Sequence, residues 1–426
     1  MDTIAPKTPA TLPFAAWQAM APAAAAQEVQ RRMAALPADL RAAALAWVRP
    51  EQALAGELAA ADPKQPLSGV PYLLKDLFDL AGVPTKAGST FLDQARGLPG
   101  QDGALPRRLR ELGAACAGKT HLVEFAAGLF GDNAHYGDCP HPFFTGRLSG
   151  GSSSGSAALV AAGVAPLAIG SDTGGSVRLP AAFCGLYGFR LTPHGEFIRD
   201  AMPLAPSLDT AGWFTANAAD LLAANAALVG PSRQSKEPRG CFLPAGELGI
   251  PFDPATAKAC DRAAADLSKP AGRDTTAALL ASWTGAIEAY TVTALHEAHA
   301  VHRDWLAPYH EHYEPGSWQR FSDGGRYQPE QLAKAAATFA AVRTTFRRFF
   351  ADYDYLILPA SPFPALRKAD CTPEARKHIL TLTTPASLGG LPVLTIPVAL
   401  PSGLTTGLQV IVPTADSAVV PWILKR

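Results

Sequence analysis

The chain has 426 residues, 48% of them apolar and 17% charged, and its 37 Lys and Arg balance its 37 Asp and Glu, so the formal net charge is zero. That length buries a large core without disulfides or metal, and the charge balance excludes both a basic nucleic-acid coat and an acidic disordered tail. The six cysteines, Cys116, Cys139, Cys184, Cys241, Cys260 and Cys371, form no Cys-x-x-Cys pair, which argues against a zinc ribbon or disulfide scaffold and fits a reducing cytoplasm.

Met1 to Leu36 has no apolar stretch of signal-peptide length, because Gln27, Glu28, Arg31 and Arg32 interrupt its alanines. The longest weakly polar run, Ala157 to Gly170, is broken by Gly163 and Pro166 and falls short of the roughly 20 residues that cross a bilayer, so no membrane association is expected. Phe14 to Ala61 reads as two or three helices linked at Pro37 and Pro50, a helical layer over residues 1–66. The core is expected over 67–426. There Val70 to Leu74 and Asp79 to Val83 read as extended, Gly103 to Leu112 as a helix, Ala114 to Ala117 as a strand, and Gly118 to Gly128 as a loop running into a helix. Residues 255–350 read as a polar-faced helical flank, after which Tyr355 to Leu358, Val393 to Pro397 and Gly407 to Val412 look like buried strands. The alternation predicts an α/β class: a single α/β/α unit, a mixed central sheet covered by helices.

The chemistry concentrates between Leu148 and Thr192. Gly150-Gly151-Ser152-Ser153-Ser154-Gly155-Ser156-Ala157 sets small residues before an Ala-rich helix pattern, whose free N–H groups favour an anion. No Lys-Ser or Lys-Thr closes a phosphate loop. Gly151 to Gly155 also fits a Gly-x-Ser-x-Gly elbow with Ser153 as nucleophile, but Phe144 to Leu148 is not the strand an elbow needs. Downstream, the strand-like Pro166 to Ile169 leads into Gly170-Ser171-Asp172-Thr173-Gly174-Gly175-Ser176-Val177-Arg178. Its glycines let successive N–H groups converge as an oxyanion hole requires, beside Ser176. A serine nucleophile needs a base. His194 is one candidate; Lys75, set between Pro71-Tyr72-Leu73-Leu74 and Leu77-Phe78, is another, since burial lowers a lysine's pKa and lets it act neutral.

Gly69 to Asp76, Gly82-Val83-Pro84-Thr85 and Ala87-Gly88-Ser89 together resemble the lysine motif of the amidase signature family. Gly150 to Ser156 and Asp172 to Gly185 resemble its Gly/Ser signature, and Gly118-Lys119-Thr120, Glu124-Phe125, Gly389-Gly390-Leu391-Pro392 and Gly407-Leu408-Gln409 extend the resemblance over about Leu67 to Val412. It implies the amidase signature fold and a Ser-cisSer-Lys triad: Ser176 as nucleophile, Ser152 as the bridging serine on a cis peptide bond, and Lys75 as base. The N–H groups of Thr173, Gly174, Gly175 and Ser176 would hold the oxyanion, with Ser153, Asp172 and Arg178 supporting. The implied activity is hydrolysis of a small carboxylic amide through an acyl-enzyme, with no cofactor. Leu77 and His121 stand where the family more often has Asn, and the tail from Pro413 to Arg426 is short for the family, which would open one side of the pocket or create an interface.

Asn133 and Tyr136 are candidate substrate contacts by position, and Trp283, Trp318, Phe143 and Phe144 are either pocket or core. His296, His299, His302, His310 and His312 could be read as metal ligands, but a polar helix face explains them better, and no metal site is assigned. No nucleic-acid partner is expected, and a homodimer is one option for assembly. The alternative function is an A-type amidotransferase subunit that works with a partner and draws ammonia from glutamine.

Overall fold

The computed structural model describes residues 11–232 and 237–426, so the first ten residues of the expected N-terminal layer lie outside the described residues. One mixed sheet of eleven described strands runs through the molecule: β1 (Leu45–Val48), β2 (Pro71–Lys75), β3 (Ala115–Thr120), β4 (Leu167–Asp172), β5 (Tyr187–Arg190), β6 (Thr210–Thr215), β7 (Gly240–Phe242), β8 (Lys269–Pro270), β9 (Tyr355–Pro359), β10 (Val393–Ala399) and β11 (Thr405–Ile411). Their spatial order is β1-β3-β2-β4-β6-β5-β10-β11-β9-β7-β8. The strands β3, β2 and β4 are mutually parallel, whereas β4 through β11 and β9 pair antiparallel in succession.

Every residue of β2, β3, β4, β6 and β9 is buried, as expected of strands covered by helices on both faces. One cover is the helix Ser154–Ala161, whose eight residues are all buried. Its small side chains allow that depth. A Cβ on Gly155 would sit 2.5 Å from the carbonyl oxygen of Ala44 and 2.8 Å from that of His121, so only glycine permits this approach. Among the described residues no helix is long and apolar enough to cross a membrane.

Three local expectations give way. The N-terminal segment holds four helices rather than two or three, together with edge strand β1, which pairs antiparallel with β3. Asp79 to Val83 is no strand beyond one Leu80–Val83 bridge, because Val83 N–H turns back to Leu80 and Gly82 N–H goes to Pro99. After β3 the chain makes a single 3-10 turn, Glu124–Ala126, in place of a helix. Phe125 and Ala126 have φ of +48° and +60°, outside helical geometry.

The parallel strands β2 and β4 are neighbours in register, with Leu74 opposite Ile169. Both therefore deliver their C-terminal residues, Lys75 and Ser171-Asp172, to the same edge of the sheet. The helix Ser154–Ala161 starts at that edge too, which makes it the crevice where α/β sheets hold ligands.

Candidate active site

Lys75 ends β2 fully buried, and its Nζ lies 2.8 Å from Ser152 Oγ, 3.0 Å from Ser153 Oγ and 2.9 Å from Ser171 Oγ. Burial strips water from the ammonium and pulls its pKa down from 10.5 to about 7, against the opposing pull of Asp172 and Asp209. The other buried lysine of this region, Lys119, is ion-paired with Asp76 at 2.6 Å and also bonded to Pro84 O and Thr85 Oγ1. Only Lys75 is offered three neutral hydroxyls. A neutral amine has two protons and one lone pair, so one of the three serines must donate to it. Ser153 gives its hydroxyl proton to Ser171 O at 3.1 Å, which leaves Ser152 or Ser171 as the donor.

The peptide bond between Gly151 and Ser152 is cis. Ser153 N–H donates to Ser176 O at 3.4 Å, which ties the two glycine-rich loops together. Ser176 is buried and makes no side-chain hydrogen bond among the described residues. It lines a cavity of about 70 Å³ shared with Leu129, Leu204, Tyr290, Leu295, Arg320 and Arg376. Ser153 sits at the start of the helix Ser154–Ala161 with no strand before it, so the elbow geometry is not present.

The loop carrying Ser176 is braced by Asp172. Its carboxylate accepts from the N–H groups of Gly175, Val177 and Arg178 and from the side chains of Arg178 and Arg190. Burial opposes this charge, but the two guanidinium groups outweigh it and hold the carboxyl well below the usual carboxylate range. Arg178 continues the brace to Thr383 O, Gln409 Oε1 and Ser387 Oγ at 2.6–2.9 Å. One expectation changes here. Gly175 N–H belongs to Asp172 at 2.9 Å, so the expected oxyanion donors reduce to Thr173, Gly174 and Ser176, whose N–H groups are free among the described residues. Gly175 has φ of +132°, and Gly174 lies directly under Tyr290, whose Oη would be 2.4 Å from an added Cβ. Thr173 Oγ1 donates to Asp209 at 2.5 Å, and burial raises the Asp209 carboxyl to about 6.

Asn133 and Tyr136 do not line this cavity. Asn133 holds a loop together, donating to Gly88 O and Leu122 O and accepting from the N–H groups of His135 and Tyr136; Tyr136 Oη donates to Ser89 O and its ring stacks on His121. Their polar atoms are occupied by the protein. The five histidines do not converge either: His302 bonds Tyr313 Oη, His299 bonds Phe321 O, and His310 bonds Glu311. Trp318 donates to Leu306 O, and Phe144 packs with Leu400 and Leu404. A further cavity, about 970 Å³ along Phe339, Phe346 and Phe350, is lined by neither Lys75 nor Ser152, Ser153, Ser171 or Ser176.

Sequence reasoning missed Ser171, Arg190 and the helix Pro373–Gly389 that brings Arg376, Thr383 and Ser387 to the site. A signal for that helix exists: Thr372 caps it by accepting from Ala375 N–H, Pro373 stands at its first turn, and Gly390 ends it in a left-handed conformation. Pro385 inside the helix disguised it.

Residues 24–420 match the family model described as Amidase. The chain is 34% identical to AtzE, a 1-carboxybiuret hydrolase component of Pseudomonas sp. (strain ADP), over 81% of its own length and 80% of that protein. It is 32% identical to the A-type subunit of glutamyl-tRNA(Gln) amidotransferase from Symbiobacterium thermophilum, over 85% and 83% of the two chains. A solved amidase crystal structure superposes with a TM-score of 0.80 at 29% identity, covering 96% of each chain.

Proposed function

This chain belongs to the amidase signature family and is a hydrolase acting on carbon–nitrogen bonds, and from that premise we propose that Ser176, Ser152 and Lys75 hydrolyse a small carboxylic amide through an acyl-enzyme. The observation that carries this reading is the buried Lys75 amine, with a pKa of about 7, within 2.8 Å of Ser152 beside a cavity that Ser176 lines. Neutral Lys75 takes the Ser152 proton as Ser152 takes the Ser176 proton, and Ser176 Oγ bonds to the amide carbon. The carbonyl oxygen becomes an oxyanion between the free N–H groups at Thr173, Gly174 and Ser176. The proton on Lys75 returns through Ser152 to the nitrogen, the C–N bond breaks, and ammonia or an amine leaves. Water then cleaves the Ser176 ester by the same relay and releases the acid.

The test is labelling with a neutral fluorophosphonate, mapped by mass spectrometry. Label on Ser176, lost in Ser152→Ala and Lys75→Ala, supports the triad. Label on Ser153 or on no serine overturns it. The near-equal identity to an amidotransferase component favours one second reading, a protein that releases ammonia from glutamine only with a partner. Glutaminase activity that appears only with a co-purified partner would decide for it.

A further inference from the structure

The wall beside Ser176 contains two charged side chains and both are arginines, Arg320 and Arg376; the remainder is Tyr290, Thr291 and small or apolar residues such as Ala126, Leu129 and Leu204. Neither arginine has a carboxylate partner. The Arg376 guanidinium makes no hydrogen bond or ion pair among the described residues, its backbone N–H alone being bonded, to Thr372 O. Arg320 reaches only Ser317 Oγ, at 3.3 Å, and its Nε is buried without an acceptor. Three acids lie around Arg320, namely Glu314, Asp132 and Glu124, yet none forms an ion pair with it, and Glu124 is already bonded to His135 and to Glu314 N–H. Burial and then the like charge of Arg376 both push the Arg320 pKa down. Two unpaired guanidinium groups facing one small cavity favour an anion arriving from outside, because a carboxylate satisfies their in-plane donors and removes their mutual repulsion.

From this, and resting on the amidase reading above, we infer that the substrate is a compact amide whose acyl part carries a carboxylate, the monoamide of a short dicarboxylic acid. No acidic side chain lines the cavity wall, which separates this class from amino-acid amides: an α-ammonium group, as on glutamine, would enter beside two cations with no carboxylate on the wall to pair it. The small cavity, about 70 Å³, excludes long acyl chains.

The probes are succinamate and its uncharged isostere 4-methylpentanamide, with glutamine and N-acetylglycine as controls. Wild-type protein is expected to show kcat/KM for succinamate roughly 10- to 100-fold above the isostere, the range of charge-assisted hydrogen bonds. Arg376→Gln and Arg320→Gln should collapse that ratio mainly through KM, and Arg376→Lys should restore part of it. A second readout needs no turnover: succinate should slow fluorophosphonate labelling of Ser176 in the wild type and fail to do so in Arg376→Gln. Equal use of the isostere, preference for glutamine or N-acetylglycine, or labelling that succinate leaves unchanged overturns the inference while the amidase reading stands. No label and no hydrolysis of any amide overturns both.

Discussion

If Lys75 is held neutral by burial, its titration must be visible in both reactivity and stability. With a pKa of about 7 the neutral fraction is near one-tenth at pH 6 and nine-tenths at pH 8. The rate constant for fluorophosphonate labelling of Ser176 should therefore rise about tenfold per pH unit below pH 6, about tenfold in all between pH 6 and 8, and then level. Stability follows from the same shift. The folded pKa lies below the unfolded value of 10.5, so between pH 7 and 10.5 the unfolded chain binds the extra proton and stability rises with pH. Below pH 7 the buried ammonium costs about 5 kcal/mol, 3.5 pH units at ~1.4 kcal/mol each. Between pH 9 and pH 6 the change is about 3 kcal/mol. Lys75→Met removes this titration and little else that titrates. Chemical denaturation of both proteins at pH 6 and pH 9 isolates it: the variant should gain about 3 kcal/mol relative to wild type at the lower pH. A difference that stays flat with pH, or labelling that still climbs tenfold per unit at pH 9–10, refutes a neutral Lys75.

Ser152→Ala removes the group between base and nucleophile and should slow Ser176 labelling by roughly 10²–10⁴-fold. Ser171→Ala takes one hydroxyl of three from Lys75 and should cost less than about tenfold while shifting the pH inflection slightly downward, since the ammonium loses an acceptor. Equal losses in the two variants would refute the relay. Asp172→Asn leaves Arg178 and Arg190 buried without their shared carboxylate, and urea unfolding should show a loss of about 3–5 kcal/mol; a loss under 1 kcal/mol would mean the pair is not sustained by that charge. Gly174→Ala sets a methyl 2.4 Å from Tyr290 Oη, so Tyr290 must leave its place in the cavity. Labelling should fall at least tenfold for a stability loss of only about 1–3 kcal/mol, and unchanged labelling would refute the placement of Tyr290.

What could be read from the sequence was local. The apolar runs at β2, β4, β9, β10 and β11 are short, continuous and bounded by turn residues, so their class was legible. The spacing of Lys75, Ser152 and Ser153 sits within motifs, and the structure brings these three together. β1 was hidden because Leu45 to Val48 is four residues wedged between helices and becomes a strand only through pairing with β3. Ser171 carries no mark of its own; it matters because β4 runs beside β2 and ends at the same level. Arg320 and Arg376 could not be read at all, since their meeting at Ser176 depends on how helices far apart in the chain pack over the sheet edge. Asn133 and Tyr136 show the reverse failure: proximity along the chain suggested a pocket, but buried backbone groups had a prior claim on their polar atoms.

The buried ion cluster also explains why Lys75 can be neutral so close to an aspartate. Asp172 and Asp209 both pull the Lys75 pKa upward, and an uncompensated Asp172 would keep the ammonium charged. Arg178 and Arg190 compensate it. Each guanidinium lies within 3.0 Å of an Asp172 oxygen, so the cluster as a whole carries one positive charge, which opposes the pull of Asp172 on Lys75. Asp209 pulls less than a free carboxylate would, because its own burial raises it to about 6. The desolvation of Lys75 is then the largest influence left. The same Asp172 carboxylate fixes Gly175 N–H and with it the loop that carries Ser176. One group thereby links the environment of Lys75 to the geometry of the Ser176 loop. Asp172→Asn should accordingly lower the labelling rate and move the pH inflection of Lys75 together; a variant that slows labelling with the inflection unmoved would show the two to be independent.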